Sequence, residues 1–376
     1  MNKLKKYLFT FLLILALIPG LQHRYAFLDS KPLYGSFQLS EIPSFSWSNW
    51  FSGEYQTKFD KGLEENIGFR NSFVRLNNQM NYSFFNIASA KSVIIGKEGY
   101  LFEEGYINSY LGKGGVNEGA INLKIERAKY VKTELEKRGK HLLILLVPGK
   151  GSFYPEYIPD RFHPEKRTVT NYDIYSKLLP ASGLNYIDLN GYFLKLKNKT
   201  PYPLYPKQGI HWSNYGASLA MDSIINYIRW NFKINLPVMS VKEIDAPDTT
   251  RDTDYDLGMG MNLLFKMQHN QMAYPKVDFN SDSTTVRPNV LTIGDSYFWT
   301  LLGLGLNKNV FNNNAFWYYN KIAYVEPFGE QPVDPFALRN EIDKQDIIIL
   351  LQTDVYYNNV GMGFIESAYS LYKNNW

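Results

Sequence analysis

The chain contains no cysteine in its 376 residues, which excludes disulfides, thiolate metal centres and thiol nucleophiles. Histidine is scarce: the five, at positions 23, 141, 163, 211 and 269, are scattered, and no carboxylate–histidine spacing recurs among them. No metal or other cofactor is expected. An excess of one charge is also missing, since 40 basic residues face 36 acidic ones and no basic block follows the N-terminus. That balance argues against a nucleic-acid partner. Internal repeats and low-complexity tracts are absent too. Long apolar runs are lacking except for one, between Tyr7 and Leu21.

That run has no charge, follows Lys3, Lys5 and Lys6, and precedes His23 and Arg24. Basic residues ahead of an apolar segment hold the N-terminus in the cytoplasm and send the remainder across the membrane. As a helix the run would span roughly 22 Å, short of the ~30 Å hydrocarbon core. No small-x-small cleavage site follows it, so an uncleaved anchor over residues 7–21 is expected rather than a removed signal peptide. Beyond the anchor, apolar residues are plentiful enough for a sizeable core. Tyr, at 29 residues, and Phe, at 24, are numerous. They serve either an aromatic core and surface or flat faces that stack on sugars.

Three regions are expected: an anchor at 1–28, a stalk and helical region at 29–90, and an α/β domain at 91–376. The stalk is the polar and aromatic stretch 35–51, and residues 59–84 have helical periodicity. Val93-Ile94-Ile95, Gly96-Lys97-Glu98-Gly99 and Tyr100-Leu101-Phe102 read as a β-hairpin. Helices are expected over 121–138, 172–179, from Ser213 to about 230, and from 298. Short apolar strands are expected at 141–147, 185–189, 290–293 and 347–351. Residues 245–289, rich in Asp, Thr and Asn, read as an insertion. Helices alternating with fully apolar strands predict a mainly parallel sheet covered on both faces. Ligands then bind beyond the strand carboxyl ends, near Pro148-Gly149-Lys150, Asp188, Gly294-Asp295-Ser296 and Thr353-Asp354.

Gly294-Asp295-Ser296 directly follows the apolar Leu291-Thr292-Ile293 and precedes a helix. A serine on such a turn is exposed at the sheet edge, and the amides of the following helix are donors for an oxyanion. Ser296 is therefore a candidate nucleophile; the alternative is an ordinary helix cap. Such a nucleophile needs a base. His211, in Gly209-Ile210-His211-Trp212-Ser213, projects from a loop held by a capped helix, the alternative being a structural hydrogen-bonding role; His23 lies at the anchor boundary, His141 at a strand start away from the catalytic edge, His163 in a polar loop and His269 in the insertion. Lys150 and Arg70 either pair with a structural carboxylate or touch a polymer. Phe316-Trp317-Tyr318-Tyr319-Asn320 either lines a glycan groove or, as we read it first, belongs to the core.

These motifs together resemble the alginate O-acetyltransferase family of SGNH-hydrolase-like proteins, the AlgJ/AlgX type. Gly53-Glu54-Tyr55, Ile67-Gly68-Phe69-Arg70 and the 96–102 hairpin carry the likeness upstream. Val147-Pro148-Gly149-Lys150 with Tyr154-Pro155-Glu156, His211-Trp212 with Asn214 and Gly216-Ala217, and Gly294-Asp295-Ser296-Tyr297 carry it downstream. As in that family, the histidine precedes the serine. The resemblance implies an SGNH-like fold on the periplasmic side of the inner membrane, acetylating an exported polysaccharide through an acetyl-serine. It also implies a membrane-bound O-acyltransferase partner as the acetyl source.

One departure matters. The family carries Asp two residues before the histidine, and this chain has Gly209 there. Asp188 is taken first as the replacement acid, with Asp354, Asp254 and Asp256 as further candidates; Asp188 and Asp354 stand at strand ends. An acetyl-esterase using the same residues and a catalytically inactive glycan-binding subunit remain as alternatives.

Overall fold

In a computed structural model the chain is described from residue 3 to residue 373, apart from 30, 36–38, 313–314 and 326–328. Residues 36–38 of the expected stalk therefore lie outside the described part. The described residues form two compact units, one of residues 1–91 with 258–267, the other of residues 92–257 with 268–376.

The first unit opens with the helix Lys3–Tyr25, long and apolar enough to cross a membrane. Its 23 residues extend roughly 34 Å, because the flanking polar residues continue the helix beyond the 7–21 run. The periodic stretch 59–84 is two helices, Glu54–Asn66 and Arg70–Phe85. The break lies at Phe69, whose φ of 65° is left-handed. Gly68 beside it is obligatory: a Cβ there would stand 2.3 Å from the Pro19 carbonyl oxygen.

Among the described residues the second unit has eleven strands. A hairpin pairs β1 (Val93–Ile95) with β2 (Leu101–Glu103), antiparallel. Next come β3 (His141–Val147) and β4 (Tyr186–Asp188), then the antiparallel pair β5 (Val238–Asp245) and β6 (Tyr274–Asn280). The last five are β7 (Val290–Gly294), β8 (Ala315–Tyr318), β9 (Ile322–Val325), β10 (Gly329–Pro332) and β11 (Ile347–Thr353). One seven-stranded sheet has the order β10-β9-β8-β7-β11-β3-β4. Its members β4, β3, β11, β7 and β8 run parallel, and β9 and β10 add an antiparallel edge. The mainly parallel sheet is as the sequence predicts. Strands β8, β9 and β10, and the pair of β5 with β6, of which β6 lies within the supposed insertion, are additions to that reading.

Burial on both faces explains the unbroken apolar strands. In β3, Leu143, Leu145 and Val147 pack on one side with residues of the helix Asn214–Asn231. Leu142, Ile144 and Leu146 pack on the other with the helices Glu118–Glu136 and Phe364–Lys373. Successive side chains alternate between faces, so each face receives its own core. Each such Leu or Ile stabilises the fold by roughly 1.5–3 kcal/mol on full burial. Asn117, Thr170 and Ser213 cap the helices that follow them through side-chain oxygens. Some of the abundant tyrosine serves the strand ends: Tyr357 Oη donates to the Val147 carbonyl at 2.8 Å, and Tyr205 Oη donates to that of Pro148. Both carbonyls are thereby satisfied without water.

Candidate active site

At the carboxyl end of β7 the chain turns sharply because Asp295 is drawn inward. Its Oδ2 accepts from the Thr353 amide at 2.7 Å and the Thr353 hydroxyl at 2.8 Å, and its Oδ1 accepts from the Tyr297 amide at 3.1 Å. Burial raises the Asp295 carboxyl pKa, and these donors oppose that rise. The inward carboxylate ties the turn to β11 and leaves half-buried Ser296 at the surface. The helix that follows, Phe298–Gly303, has only six residues. The Ser296 amide itself has no acceptor among the described residues.

His211 is held from several directions. Ser213 caps the next helix through the Gly216 amide at 2.9 Å and donates to the Pro203 carbonyl at 2.7 Å. Buried Trp212 donates from Nε1 to the Tyr297 carbonyl at 3.2 Å, and Tyr297 Oη donates to the Ile210 carbonyl at 2.7 Å. These two bonds clamp the histidine loop to the serine turn. Beneath them Lys150, 1% exposed, donates from Nζ to the carbonyls of Lys207 at 2.7 Å and Gly209 at 2.8 Å. Its role is structural, with backbone oxygens in place of the expected carboxylate or polymer. Burial lowers the Lys150 pKa well below the ordinary lysine range. The rings of Tyr100 and Phe102 lie 5.8 and 5.5 Å from its ammonium.

The imidazole sits between a hydroxyl and a carboxylate. His211 Nε2 is 2.8 Å from Ser296 Oγ, and Nδ1 is 3.0 Å from Asp256 Oδ2. Asp256 is fixed in turn, its Oδ1 accepting from the amides of Ile210 at 2.9 Å and Leu257 at 2.6 Å. The side chains of His211 and Asp256 are only 14% and 17% exposed, so water competes weakly for their contact. A carboxylate on Nδ1 favours the tautomer with its proton there, leaving Nε2 free to accept from Ser296.

The carboxylate hydrogen-bonded to His211 is that of Asp256, not that of Asp188. Asp188 caps the helix Leu189–Leu196, accepting from the Gly191 amide at 2.9 Å and the Tyr172 hydroxyl at 3.0 Å. Asp354 is buried and accepts from Ser152 Oγ; burial pushes its pKa up to about 7. Asp254 is buried as well, and its pKa is likewise raised to about 7 by burial. Strand-end position was thus a poor guide, because a carboxylate there also caps the next helix. The usable signal was the cluster of Asp at 252, 254 and 256, downstream of the histidine. Sequence reasoning also missed Glu103, at the end of β2. Burial raises its carboxyl pKa, while His211 lowers it and Asp256 raises it through space.

A cavity of about 290 Å³ opens at this triad, lined by His211, Asn214, Asp252, Thr253, Ser296, Trp299, Thr300 and Gly303. It gives small-molecule groups access to Ser296 Oγ. Among the described residues no group of three or more His, Asp or Glu side chains is arranged to hold a metal ion. A hydroxyl, an imidazole and a carboxylate in series are the components of nucleophilic acyl chemistry.

Comparison with known proteins gives a consistent set of relatives. The family described as SGNH hydrolase-like domain, acetyltransferase AlgX, matches residues 93–297. A probable alginate O-acetylase AlgJ of Pseudomonas aeruginosa is 24% identical over 208 residues, 54% of this chain and 51% of that protein. Its counterpart in Pseudomonas syringae pv. tomato is 23% identical over 201 residues, 53% and 49% of the two chains. The chain thus spans about half the length of the curated relatives it matches. Among solved structures, AlgX of Pseudomonas aeruginosa is similar with a TM-score of 0.48 and 12% identity, covering 76% of this chain and 71% of that one. The O-acetyltransferase domain of Pseudomonas putida AlgJ has a TM-score of 0.44 and 15% identity, covering 74% and 99%.

Proposed function

The chain belongs to the SGNH hydrolase-like AlgX acetyltransferase family, and from that premise we propose that it transfers acetyl groups to hydroxyls of an exported polysaccharide through an acetyl-serine. The observation that carries this reading is the series Ser296 Oγ, His211 and Asp256, at 2.8 and 3.0 Å. His211 Nε2 removes the Ser296 proton as Oγ attacks the acetyl carbonyl, and the tetrahedral oxyanion develops beside the free Ser296 amide. Collapse breaks the donor's acyl bond, and the imidazolium returns its proton to the leaving group. A sugar hydroxyl then gives its proton to His211 and attacks the acetyl-serine. Ser296 leaves, reprotonated, and the product is a sugar acetate. Asp256 orients the ring and offsets the charge it gains in each half-reaction.

The relatives' description as alginate O-acetylases supports a uronate polymer as acceptor. A membrane-bound O-acyltransferase would pass the acetyl group from inside. The helix Lys3–Tyr25 would hold the enzyme on the periplasmic side of the inner membrane, where export delivers the polymer. Gly209 favours an inactive subunit as the alternative, and the carboxylate of Asp256 beside His211 supports the catalytic reading instead. Hydrolysis uses the same residues with water as acceptor. Incubating the enzyme with an acetyl ester and an oligosaccharide separates the two: transfer yields acetylated sugar, hydrolysis only acetate. Sugar acetate formation that survives Ser296→Ala would contradict the proposal.

A further inference from the structure

Trp299 borders two cavities. One is the cavity at Ser296 and His211. The other, about 700 Å³, is lined by Leu302, Asn307, Phe316, Tyr324 and Glu330 as well as Trp299. Nothing in the acyl chemistry uses this second space, yet its volume falls in the range of pockets that hold small ligands.

Two features describe its ligand. Asn307 is 2% exposed, and neither its Oδ1 nor its Nδ2 has a hydrogen-bond partner among the described residues. A buried amide with both functions unpaired is destabilising, and one donor beside one acceptor matches the adjacent hydroxyls of a sugar ring. The wall is aromatic: Trp299 meets Tyr324 at 4.7 Å and Phe316 at 4.9 Å, edge to face in both cases. Phe316 is buried, whereas Trp299 is 37% exposed and offers apolar surface to the C–H face of a pyranose. An alkyl chain would cover the aromatic wall equally well but leave Asn307 unpaired.

We infer that this cavity is a glycan subsite, which seats a pyranose neighbouring the sugar that is acetylated and binds its hydroxyls through Asn307. Trp299 separates the two sugars. The inference rests on the acetyl-transfer reading for its choice of a polysaccharide, but its test does not require turnover.

The full chain in detergent, carrying Ser296→Ala, is titrated calorimetrically with two β-1,4-linked hexasaccharides, a neutral glucan and a uronan. Decanoate serves as the alkyl probe. At least one hexasaccharide is expected to bind, and adding Asn307→Leu should weaken its binding about tenfold or more. Tyr324→Ala, at a half-buried position on the antiparallel strand β9, is the second variant and should weaken it similarly. No hexasaccharide binding, binding unchanged in both variants, or binding of decanoate alone would overturn the subsite. Ser296-dependent ester turnover is measured separately on protein with Ser296 intact. Turnover without sugar binding sinks the subsite alone; sugar binding without turnover sinks the acetyltransferase reading and leaves the subsite standing.

Discussion

Gly209 and Thr253 compete for one volume: a Cβ on Gly209 would stand 2.4 Å from the Thr253 carbonyl oxygen and 3.0 Å from the Asp254 carbonyl carbon. The segment 252–256 therefore runs where the family's aspartate would project. It delivers its own carboxylate to His211 Nδ1 from 45 residues along the chain. Absence of the acid at 209 and presence of Asp256 are two sides of one packing arrangement.

The first prediction follows from this exclusion. Gly209→Asp should lower stability by about 1–3 kcal/mol through overpacking, read as a fall in melting temperature. Combined with Asp256→Asn, it should not restore ester turnover. Recovery in the double variant would show that the 252–256 segment yields easily.

Asp256→Asn by itself keeps the shape but loses the tautomer control. Turnover of a chromogenic acetyl ester should fall about a thousand- to ten-thousand-fold in kcat with KM little changed. Asp188→Asn should leave kcat within about twofold, since surface caps act on stability, by about 1 kcal/mol.

Lys150 supports the loop through two carbonyls at 2.7 and 2.8 Å. Lys150→Met should cost about 1–3 kcal/mol for each acceptor left buried and unpaired. Because the loop carries His211, kcat should drop alongside the melting temperature. A variant that melts normally and turns over normally would contradict the supporting role.

Asp354 supplies a pH test. Its folded-state pKa of about 7 lies above the 3.8 of an ordinary aspartate. The folded state therefore holds the proton more tightly. The stability that this contributes is fully present below pH ~4 and lost as pH rises through ~7. Asp354→Asn cannot ionise, so its melting temperature should gain on the wild type between pH 4 and 7 and hold that gain above. A constant difference across this window would refute the shift.

The N-terminal helix Lys3–Tyr25 leads to a further expectation, that the mature protein retains it and sediments with membranes. Intact-mass measurement of protein from the membrane fraction checks this. A mature N-terminus near residue 25 would contradict the anchor.

What was legible in the sequence follows from where each residue's partners lie. β3, β7 and β11 are continuous apolar runs because both faces are covered, and they stand out without knowledge of the fold. Ser296 and His211 were legible because each follows from a local rule, a strand-to-helix turn and a loop before a capped helix. β10 was not: Gly329–Pro332 is exposed throughout and is a strand only through pairing with β9. Asp256 does not stand out in the sequence from Asp188, since its place at His211 depends on a tertiary crossing over Gly209 that no local pattern encodes. The helix break at Phe69 is hidden by a periodicity that continues across it.

The central claim is that acetyl passes through Ser296. The most direct measurement is mass spectrometry of the peptide containing Ser296, after the enzyme is mixed with an acetyl ester and quenched in acid. One added acetyl group is expected on Ser296, absent from the Ser296→Ala and His211→Ala proteins and discharged when an oligosaccharide acceptor is added. Turnover that proceeds at the wild-type rate in Ser296→Ala, or acetyl found on another residue and discharged to sugar from there, would contradict it.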